Sequence, residues 1–389
     1  MSWEIKKLSD CCVSIADGDH QAPPKADTGI PFVTIANINA TNQFDFSNTM
    51  FVPQAYYDRL DSKRKAQKGD ILYSVVGSFG IPVYMRETIP FVFQRHIAIL
   101  RPNETILPQF LYHTMLSRDF YMMADAAALG AAQRTVSLTA LRNMKIAVPP
   151  MGVQKKIADT LSAYDDLIEN NQKQIKLLEE AAQRLYKEWF VDLRFPDHET
   201  TPITDGIPEG WKRERLVDIV KVQYGYAFDG SLFNANGNGT PIVRIRNIPN
   251  GTTADYTTED ADTQYVVHNG DILVGMDGEF HINSWSGPDA YLVQRTCSFR
   301  PNNSNMKGYL LQAIYEPIKY FENTVVGATV AHLGKKHIDT ITVLTGPDEL
   351  YAPFQQYFDR RQLLLNQNRL LAEARDRLLP KLMNGEIEV

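Results

Sequence analysis

The chain repeats itself once, with a period of about 200 residues, and this duplication constrains its fold more than any other feature. Each copy opens with a tryptophan that is followed five residues later by a leucine, at Trp3–Leu8 and at Trp211–Leu216. Four further matched segments keep the same order: GIPFVTIANI (29–38) with GTPIVRIRNI (239–248), KGDILYSVVGSFG (68–80) with NGDILVGMDGEF (269–280), FVFQRHIAILRPN (91–103) with YLVQRTCSFRPN (291–302), and QFLYHTMLSRDF (109–120) with GYLLQAIYEPIKYF (308–321). A period this long indicates a duplicated domain rather than a solenoid of short repeats.

Each copy is rich in short runs that favour β-strands. Runs such as PFVTIANI, DILYSVV and FVFQRHIAIL contain β-branched and aromatic residues and are separated by Gly, Pro and Asn. Gly69 and Gly270, each before an Asp-Ile-Leu run, supply the unusual backbone angle of a turn that enters a strand. We therefore predict two β-rich domains of the α+β class, at residues 1–149 (the first copy) and 208–349 (the second copy).

A long heptad helix is predicted after the first copy. Alternating steps of four and three residues follow one seam with a single polar member: Ile157, Leu161, Tyr164, Ile168, Asn171, Ile175, Leu178, Ala182, Leu185 and Trp189. Pro149 and Pro150 mark the end of a strand and the start of this helix, which we place within residues 150–195. From Val153 to Phe190 it would be about 57 Å long at ~1.5 Å per residue.

A second helix is predicted within residues 350–389, with a less regular seam that includes Arg361. Because the chain can reverse through the second copy, we predict that the two helices pair as an antiparallel coiled coil. Asn171 and Asn368 either lie in the seam and fix its register or are solvated helix residues.

Charge and composition limit the functions open to this chain. The net charge is −6, with 15 Lys+Arg against 13 Asp+Glu in the first copy and 12 against 17 in the second. Since neither copy is strongly basic, DNA binding would depend on local patches. No run approaches the roughly 20 apolar residues that span a bilayer, so we expect a cytoplasmic protein without membrane contact. The three cysteines show no CxxC pattern and predict neither a disulfide framework nor a zinc site.

The combined pattern resembles the specificity subunit of type I restriction-modification systems. The resemblance rests on two β-rich copies with W-x-x-x-x-L, GDIL and Gln-Arg before a strand, each followed by PP or GP and a long helix. It covers nearly the whole chain, and the stretch PPMGVQKKIADTLSAYDDLIENN is especially similar to that family's central helix. The second copy departs from the family's helix entry, having GPDELYAPFQQ where the first has PPMGVQ.

The resemblance implies a function and a set of partners. Each β-rich domain would be a target recognition domain that reads one half of a split double-stranded DNA sequence, while the helices hold the two domains apart. Two modification (methylase) subunits would dock on the helices, and restriction subunits would join the full complex. The alternative is a non-enzymatic protein-binding adaptor with a coiled-coil spacer and no DNA role, which the acidic balance favours.

The sequence lacks motifs for catalysis by this chain. VPPM lacks the amide residue of an NPPY adenine-methyltransferase motif, and Gly334-Lys335-Lys336 lacks the glycine spacing and Ser/Thr of a phosphate-binding loop. We therefore expect no enzyme activity and no bound cofactor or metal. The resemblance implies that S-adenosylmethionine, ATP and Mg²⁺ belong to the partner subunits.

Candidate DNA-binding residues are donor and acceptor side chains on loops next to rigid strands, because these groups reach base edges. They are Ser78, Phe79, Arg95, Gln133, Arg134, Thr135, Arg244, Arg246, Asp277, Glu279, Arg295, Thr329, His332, Lys335 and Lys336. Phe79 is included because Gly77 and Gly80 leave room for a close approach to DNA. For the Gly77–Gly80 loop the alternative is an ordinary hairpin turn. Arg95 and Arg295 follow Gln in both copies, so a shared structural salt bridge is equally compatible. Arg244 and Arg246 are expected on one face of a strand.

Candidate partner-binding residues form a wide apolar stripe on the first helix: Ile175, Leu178, Leu185, Tyr186, Trp189 and Phe190. One partner helix would not cover this stripe, which favours docking of a modification subunit. The alternative is that packing within the chain uses all of it.

Overall fold

The structure is a computed structural model that describes residues 3–39, 41–131, 133–324 and 331–387. Contacts divide the chain into two compact units, one of residues 1–166 with 372–389 and the other of residues 167–371. This division runs through both long helices. It therefore does not test the four segments predicted from the sequence, and their boundaries stay predictions.

The first unit contains the first copy. Its strands are β1 (Glu4–Lys7), β2 (Cys12–Asp17), β3 (Ile30–Val33), β4 (Met50–Val52), β5 (Ile71–Ser74), β6 (Pro82–Tyr84), β7 (Val92–Phe93), β8 (Ile97–Pro102) and β9 (Lys145–Val148). Its helices are α1 (Gln54–Asp58), α2 (Pro108–Leu116), α3 (Arg118–Ala127), α4 (Leu138–Asn143) and the start of α5 (Met151–Tyr186). The main sheet is antiparallel with strand order β2-β8-β5-β6, and a smaller sheet has the order β4-β3-β7, with β3 and β7 parallel.

The second unit repeats this plan. Its strands are β10 (Ile203–Thr204), β11 (Ile207–Pro208), β12 (Lys212–Arg215), β13 (Val220–Tyr224), β14 (Phe233–Asn234), β15 (Thr240–Val243), β16 (Tyr256–Thr257), β17 (Val266–Val267), β18 (Ile272–Gly275), β19 (Ile282–Ser284), β20 (Ala290–Leu292), β21 (Thr296–Pro301) and β22 (Thr342–Thr345). Its helices are α6 (Leu216–Ile219), α7 (Lys307–Ala313), α8 (Tyr315–Thr324), α9 (Lys335–Ile338) and the first part of α10 (Ala352–Met383). The sheet β13-β21-β18-β19 corresponds to β2-β8-β5-β6, and β15 pairs with β20 in parallel as β3 does with β7.

The central strand of each main sheet is buried on both faces. In β5, Ile71 and Tyr73 pack into the larger core with Phe110 of α2 and Leu161 of α5, whereas Leu72 faces a second core. In the second unit, Ile272 and Val274 face the larger core and Leu273 the smaller one. Because alternate residues of a strand point to opposite faces, a run of consecutive apolar residues is what a doubly covered strand requires. This accounts for the two DIL runs in the sequence.

Pro149 and Pro150 separate a strand from a helix, as the sequence predicts, because β9 ends at Val148 and α5 begins at Met151. Gln154, four residues after Pro150, connects the start of α5 to the first copy through hydrogen bonds. Its Oε1 accepts from the Leu107 N–H (2.8 Å) and its Nε2 donates to the Pro149 carbonyl (2.9 Å). In the second copy Gln355 takes the corresponding place and accepts from the Gly308 N–H at 3.4 Å. The PPxxxQ entry therefore has a structural counterpart even where the motif is degenerate.

The strand predicted through Arg244 and Arg246 is wrong. Strand β15 ends at Val243, and residues Ile245–Asn247 form a 3₁₀ turn because the Asn247 side chain accepts from the Arg244 N–H (2.8 Å). The first copy has the same side-chain-to-backbone hydrogen bond, in which the Asn37 side chain accepts from the Thr34 N–H at 2.9 Å. The matched Asn-Ile pairs of the two copies are therefore turn signals at the ends of short strands.

The thiols are not disulfide-bonded: Cys11 and Cys297 are buried, and burial raises the pKa of both. Among the described residues, no helix combines the length and apolar character that crossing a bilayer requires.

Candidate nucleic-acid interface

In the first copy the structure brings most of the candidate DNA-binding residues together. Val76 pairs with Thr135 through the backbone, the Gly77 N–H donates to the Arg134 carbonyl (2.9 Å), and the Val136 N–H donates to the Val75 carbonyl (2.8 Å). The loop of residues 75–80 therefore lies beside the segment 133–136. Ser78, Gln133 and Arg134 are exposed there.

Phe79 is turned away from this surface. Its ring is 9% exposed, packs in the larger core and stacks on Tyr121 with ring centres 5.8 Å apart. The Arg134 guanidinium lies over the same ring at 5.5 Å and pairs with Asp125. In this structure Phe79 supports Arg134, and Ser78 is the exposed member of the Gly77–Gly80 loop.

The second copy builds the same backbone frame from different side chains. Asp277 pairs with His332 as Val76 does with Thr135, and the Gly278 N–H donates to the Ala331 carbonyl (3.0 Å). Glu279 is exposed at the tip, in the place of Ser78, and Phe280 is buried like Phe79. Thr329 lies outside the described residues. The two copies thus present different chemistry on a shared scaffold.

Lys335 and Lys336 lie on the first turn of α9 rather than in the loop that the sequence predicted. Both are exposed, and neither has an ion-pair partner within residues 331–387 or the other described ranges.

Arg95 and Arg295 are not equivalent positions, although both follow a glutamine. The register of the parallel pairs places Phe93 opposite Val33 and Leu292 opposite Val243, so Gln94 corresponds to Val293 and His96 to Arg295. The Val75 N–H accordingly donates to the His96 carbonyl, and the Met276 N–H to the Arg295 carbonyl. The alternative of one salt bridge shared by both copies is therefore wrong. Arg95 is exposed and has no ion pair among the described residues, whereas Arg295 lies 3.4 Å from Asp277.

Sequence reasoning missed His96 as the counterpart of Arg295. The signal was present, because the first copy has one residue more than the second between its Gln-Arg pair and the shared Arg-Pro-Asn. Burial, and then the neighbouring Arg95, lower the pKa of His96.

Arg244 and Arg246 differ in their freedom to contact DNA. Arg246 makes two bonds to Asp255. Burial raises the pKa of the Asp255 carboxyl group, but the hydrogen bonds of Arg246 and Asn247 and the charges of Arg246 and Arg244 together lower it. Arg244 lies over the Phe233 ring at 5.6 Å with no ion pair recorded in the described part of the chain. Arg244 is therefore the freer cation of the two. No group of three or more His, Cys, Asp and Glu in the described ranges is placed to hold a metal ion.

Comparison with known proteins decides the family. The family model for the type I restriction modification DNA specificity domain matches residues 2–180 and 208–373, which is most of the chain and both of its copies. The chain belongs to this DNA specificity family. It is thus a DNA-recognition protein, which confirms the prediction from the sequence.

Relatives of this specificity chain agree with the assignment. It is 26% identical over 352 residues to the type I restriction enzyme MjaIX specificity subunit of Methanocaldococcus jannaschii, covering 84% of this chain and 80% of that one. It is 22% identical over 406 residues to the HindI specificity subunit of Haemophilus influenzae, covering 84% and 88%. A crystal structure of the S subunit of a type I restriction-modification system from M. genitalium covers 98% of this chain and 96% of its own, with a TM-score of 0.56 at 14% identity. That neighbour shares the fold.

The apolar stripe predicted to bind a partner of this specificity chain is largely used within its own second unit. Phe190 is buried among the rings of Trp211, Tyr309 and Phe354, and Tyr186 stacks on Phe190 at 5.5 Å. Leu185 and Trp189 pack against the same core, and Ile175 is buried. Leu178 instead lines an open cleft of about 760 Å³, with apolar side chains from α5, α7 and α10 on its walls. Of the six predicted residues, Leu178 and Tyr186 reach this cleft.

Proposed function

We propose that this DNA specificity chain reads a split target, with one half-site contacted by each copy. One observation carries the proposal: equivalent backbone positions hold Val76, Thr135 and His96 in the first copy but Asp277, His332 and Arg295 in the second. The two domains share one backbone arrangement but carry different donor and acceptor groups. Such a pair of domains can read two half-sites of different sequence. Ser78, Gln133 and Arg134 would face DNA in the first copy, and Glu279, Lys335 and Lys336 would join the second.

We further propose that α5 and α10 pair as an antiparallel coiled coil. In the second unit Arg361 bonds Glu179 (2.6 Å) and Asn368 bonds Asn171 (2.9 Å). In the first unit Arg375 bonds Asp165 (2.7 Å). Residue numbers rise along α10 as their partners' numbers fall along α5, and the three α10 residues follow one another at heptad spacing. These contacts support an antiparallel pair with a polar residue at each successive heptad.

A paired helix of this kind would act as a spacer between the two readers. At ~1.5 Å per residue, α5 is long enough to separate sites one turn of B-DNA apart, roughly 34 Å. The proposal includes two modification subunits docked on the helices and restriction subunits in the full complex. S-adenosylmethionine, ATP and Mg²⁺ would then be bound by those subunits, and this chain would have no catalytic activity of its own.

Methylation-site mapping with the matching modification subunit tests the proposal. The expected result is a motif of two specified half-sites separated by a fixed number of unspecified base pairs. The same complex should bind these duplexes with an affinity that falls steeply as salt rises, because phosphate contacts release counterions. Binding that is absent at every salt concentration would instead favour the protein-binding adaptor.

A further inference from the structure

Three side chains of the second copy form a closed polar cluster at the edge of the proposed reading surface. The hydrogen-bond pattern assigns a proton to His332 Nδ1, which donates to Asp277 Oδ1 at 2.5 Å. Arg295 Nε lies 3.4 Å from Asp277 Oδ2, and its Nη1 lies 3.2 Å from His332 Nδ1 and 3.4 Å from His332 Nε2. The guanidinium therefore contacts the cluster through Nε and Nη1.

The cluster is exposed to solvent. The side chains of Arg295, His332 and Asp277 are 55%, 45% and 31% exposed. Within the described residues no partner of Arg295 Nη2 is recorded, so both N–H donors of this nitrogen are available to a ligand.

The cluster is not needed to hold the backbone frame. The first copy makes the same backbone pairing with Val76 and Thr135, and His96 replaces Arg295 there. Arg295 also has a φ of +69°, which an L residue adopts at a cost, and His96 does not share this positive value. A strained backbone at an exposed arginine, together with side-chain partners that the backbone pairing does not require, indicates a functional position.

We propose that Arg295, oriented by Asp277 and His332, donates two hydrogen bonds to a guanine in the major groove of the second half-site. This inference rests on the proposed DNA-reading function. One N–H of Nη2 and the second N–H of Nη1, which the contact with His332 does not use, are parallel donors that match O6 and N7 of guanine. Fixing the direction of the guanidinium favours this bidentate contact. A phosphate contact is the weaker alternative, because Asp277 offsets the charge of Arg295 and phosphate binding depends on net positive charge. Asp277 and His332 are positioning residues in this account.

The test uses the complex of the whole chain with its modification subunit. Methylation mapping first gives the wild-type motif. Duplexes are then made in which 7-deazaguanine, which lacks the N7 acceptor, replaces one guanine at a time. We expect one guanine of one half-site to lower wild-type affinity by roughly 10- to 100-fold when replaced, as for the loss of a bidentate base contact.

The variants Arg295→Gln and Asp277→Asn separate this contact from a structural role. Arg295→Gln should abolish discrimination at that guanine alone and leave the other half-site unchanged, and Asp277→Asn should reduce discrimination there in part. Arg215→Gln, which removes an exposed arginine paired with Asp218 in the same copy, should change neither half-site. Equal weakening of every duplex by Arg295→Gln would overturn the guanine contact in favour of phosphate. A wild-type complex that ignores 7-deazaguanine at every position would also overturn it, even if the variant does not fold. A wild-type complex with no split motif would count against the proposed function itself.

Discussion

At the scale of single residues, Arg361 shows how a charge that weakens a sequence pattern becomes part of the packing. The heptad analysis counts it as a defect in the second seam, yet its side chain is only 10% exposed. It donates to Glu179 of α5 (2.6 Å), and to Ser284 (2.6 Å) and Asn283 (2.8 Å) of β19. One guanidinium thus joins α10, α5 and the main sheet of the second unit.

Replacing Arg361 by methionine should lower the free energy of unfolding by about 2–4 kcal/mol, because the buried Ser284 hydroxyl and its neighbours lose a charged donor. Urea denaturation measures this change. The matched control is Arg360→Met, which removes the same charge one residue earlier. Arg360 is exposed and bonds Gln174 at 3.2 Å, so its loss should change the free energy by no more than about 0.5 kcal/mol. Equal effects of the two variants would show that Arg361 has no special structural role.

His113 is a buried histidine with a pKa far from its ordinary value. Burial, and then the charges of Arg375 and Arg86, lower its pKa from 6.5 to about 3. Asp165, whose own pKa is raised by burial, lies 3.9 Å from its ring. The folded chain therefore keeps His113 uncharged in a pH range where the unfolded chain protonates it.

Stability should consequently fall as pH drops from about 6 to about 4, with His113 contributing up to about 1.4 kcal/mol per pH unit. The sign follows because the unfolded state binds a proton that the folded state does not. The variant His113→Gln, which introduces the residue found at the equivalent position Gln312, should have a shallower slope. Urea denaturation at several pH values measures both slopes. Since Asp165 is present in both proteins, identical slopes would contradict the assignment to His113.

At the scale of secondary-structure elements, the sequence predicted the long elements well and the short ones poorly. The heptad seam predicts α5, and Pro149 with Pro150 locates its start, because proline restricts both a strand and a helix interior. The strand predicted over PFVTIANI ends at Val33, so the prediction was wrong beyond that residue. The β-branched residues that follow continue into a 3₁₀ turn, which the Asn37 side chain closes. Such side-chain-to-backbone bonds override residue preference locally, and composition does not reveal them.

Asn171 and Asn368 decide between the two alternatives left open by the sequence. Asn171 is 7% exposed, its Nδ2 donates to Asn368 Oδ1 (2.9 Å), and Asn368 Nδ2 donates to the Ile168 carbonyl (3.4 Å). The two amides therefore bond each other and do not behave as two solvated residues, which supports their place in the proposed seam. Polar pairs in such seams fix register at some cost in stability.

A double-mutant cycle on this pair should show strong coupling. Asn171→Leu alone should lower the free energy of unfolding by about 1–2 kcal/mol, because it leaves Asn368 without its partner. Asn171→Leu combined with Asn368→Leu should recover or exceed wild-type stability, with a coupling of at least about 1 kcal/mol. Urea denaturation of the four proteins gives the coupling. Purely additive effects would mean that the two amides do not interact.

At the scale of the whole molecule, the duplication visible in the sequence predicted two α+β copies and their long helices. It did not predict the one-residue offset that places His96, and not Arg95, in the position of Arg295. Alignment by residue identity pairs the Gln-Arg dipeptides of the two copies. The register of the strands depends instead on which side chains face the core. Likewise, Phe79 resembled an exposed loop residue because its glycine neighbours indicate a turn. Only packing on Tyr121 shows that its ring is buried.

The account as a whole depends on paired helices that set the distance between two readers. Inserting one heptad directly after Asn171 and another directly before Asn368 keeps the Asn171–Asn368 pair and the contacts on both sides of the insertions. It lengthens the helix pair by about 10 Å. An insertion in α5 alone is the control, and it should abolish site-specific methylation because it breaks the register with α10.

Methylation-site mapping of the doubly inserted chain with its modification subunit is the most direct test of this claim. The account predicts two unchanged half-sites with a gap that is longer by up to about three base pairs, given a rise of 3.4 Å per base pair. An unchanged gap, or half-sites with altered sequences, would contradict it.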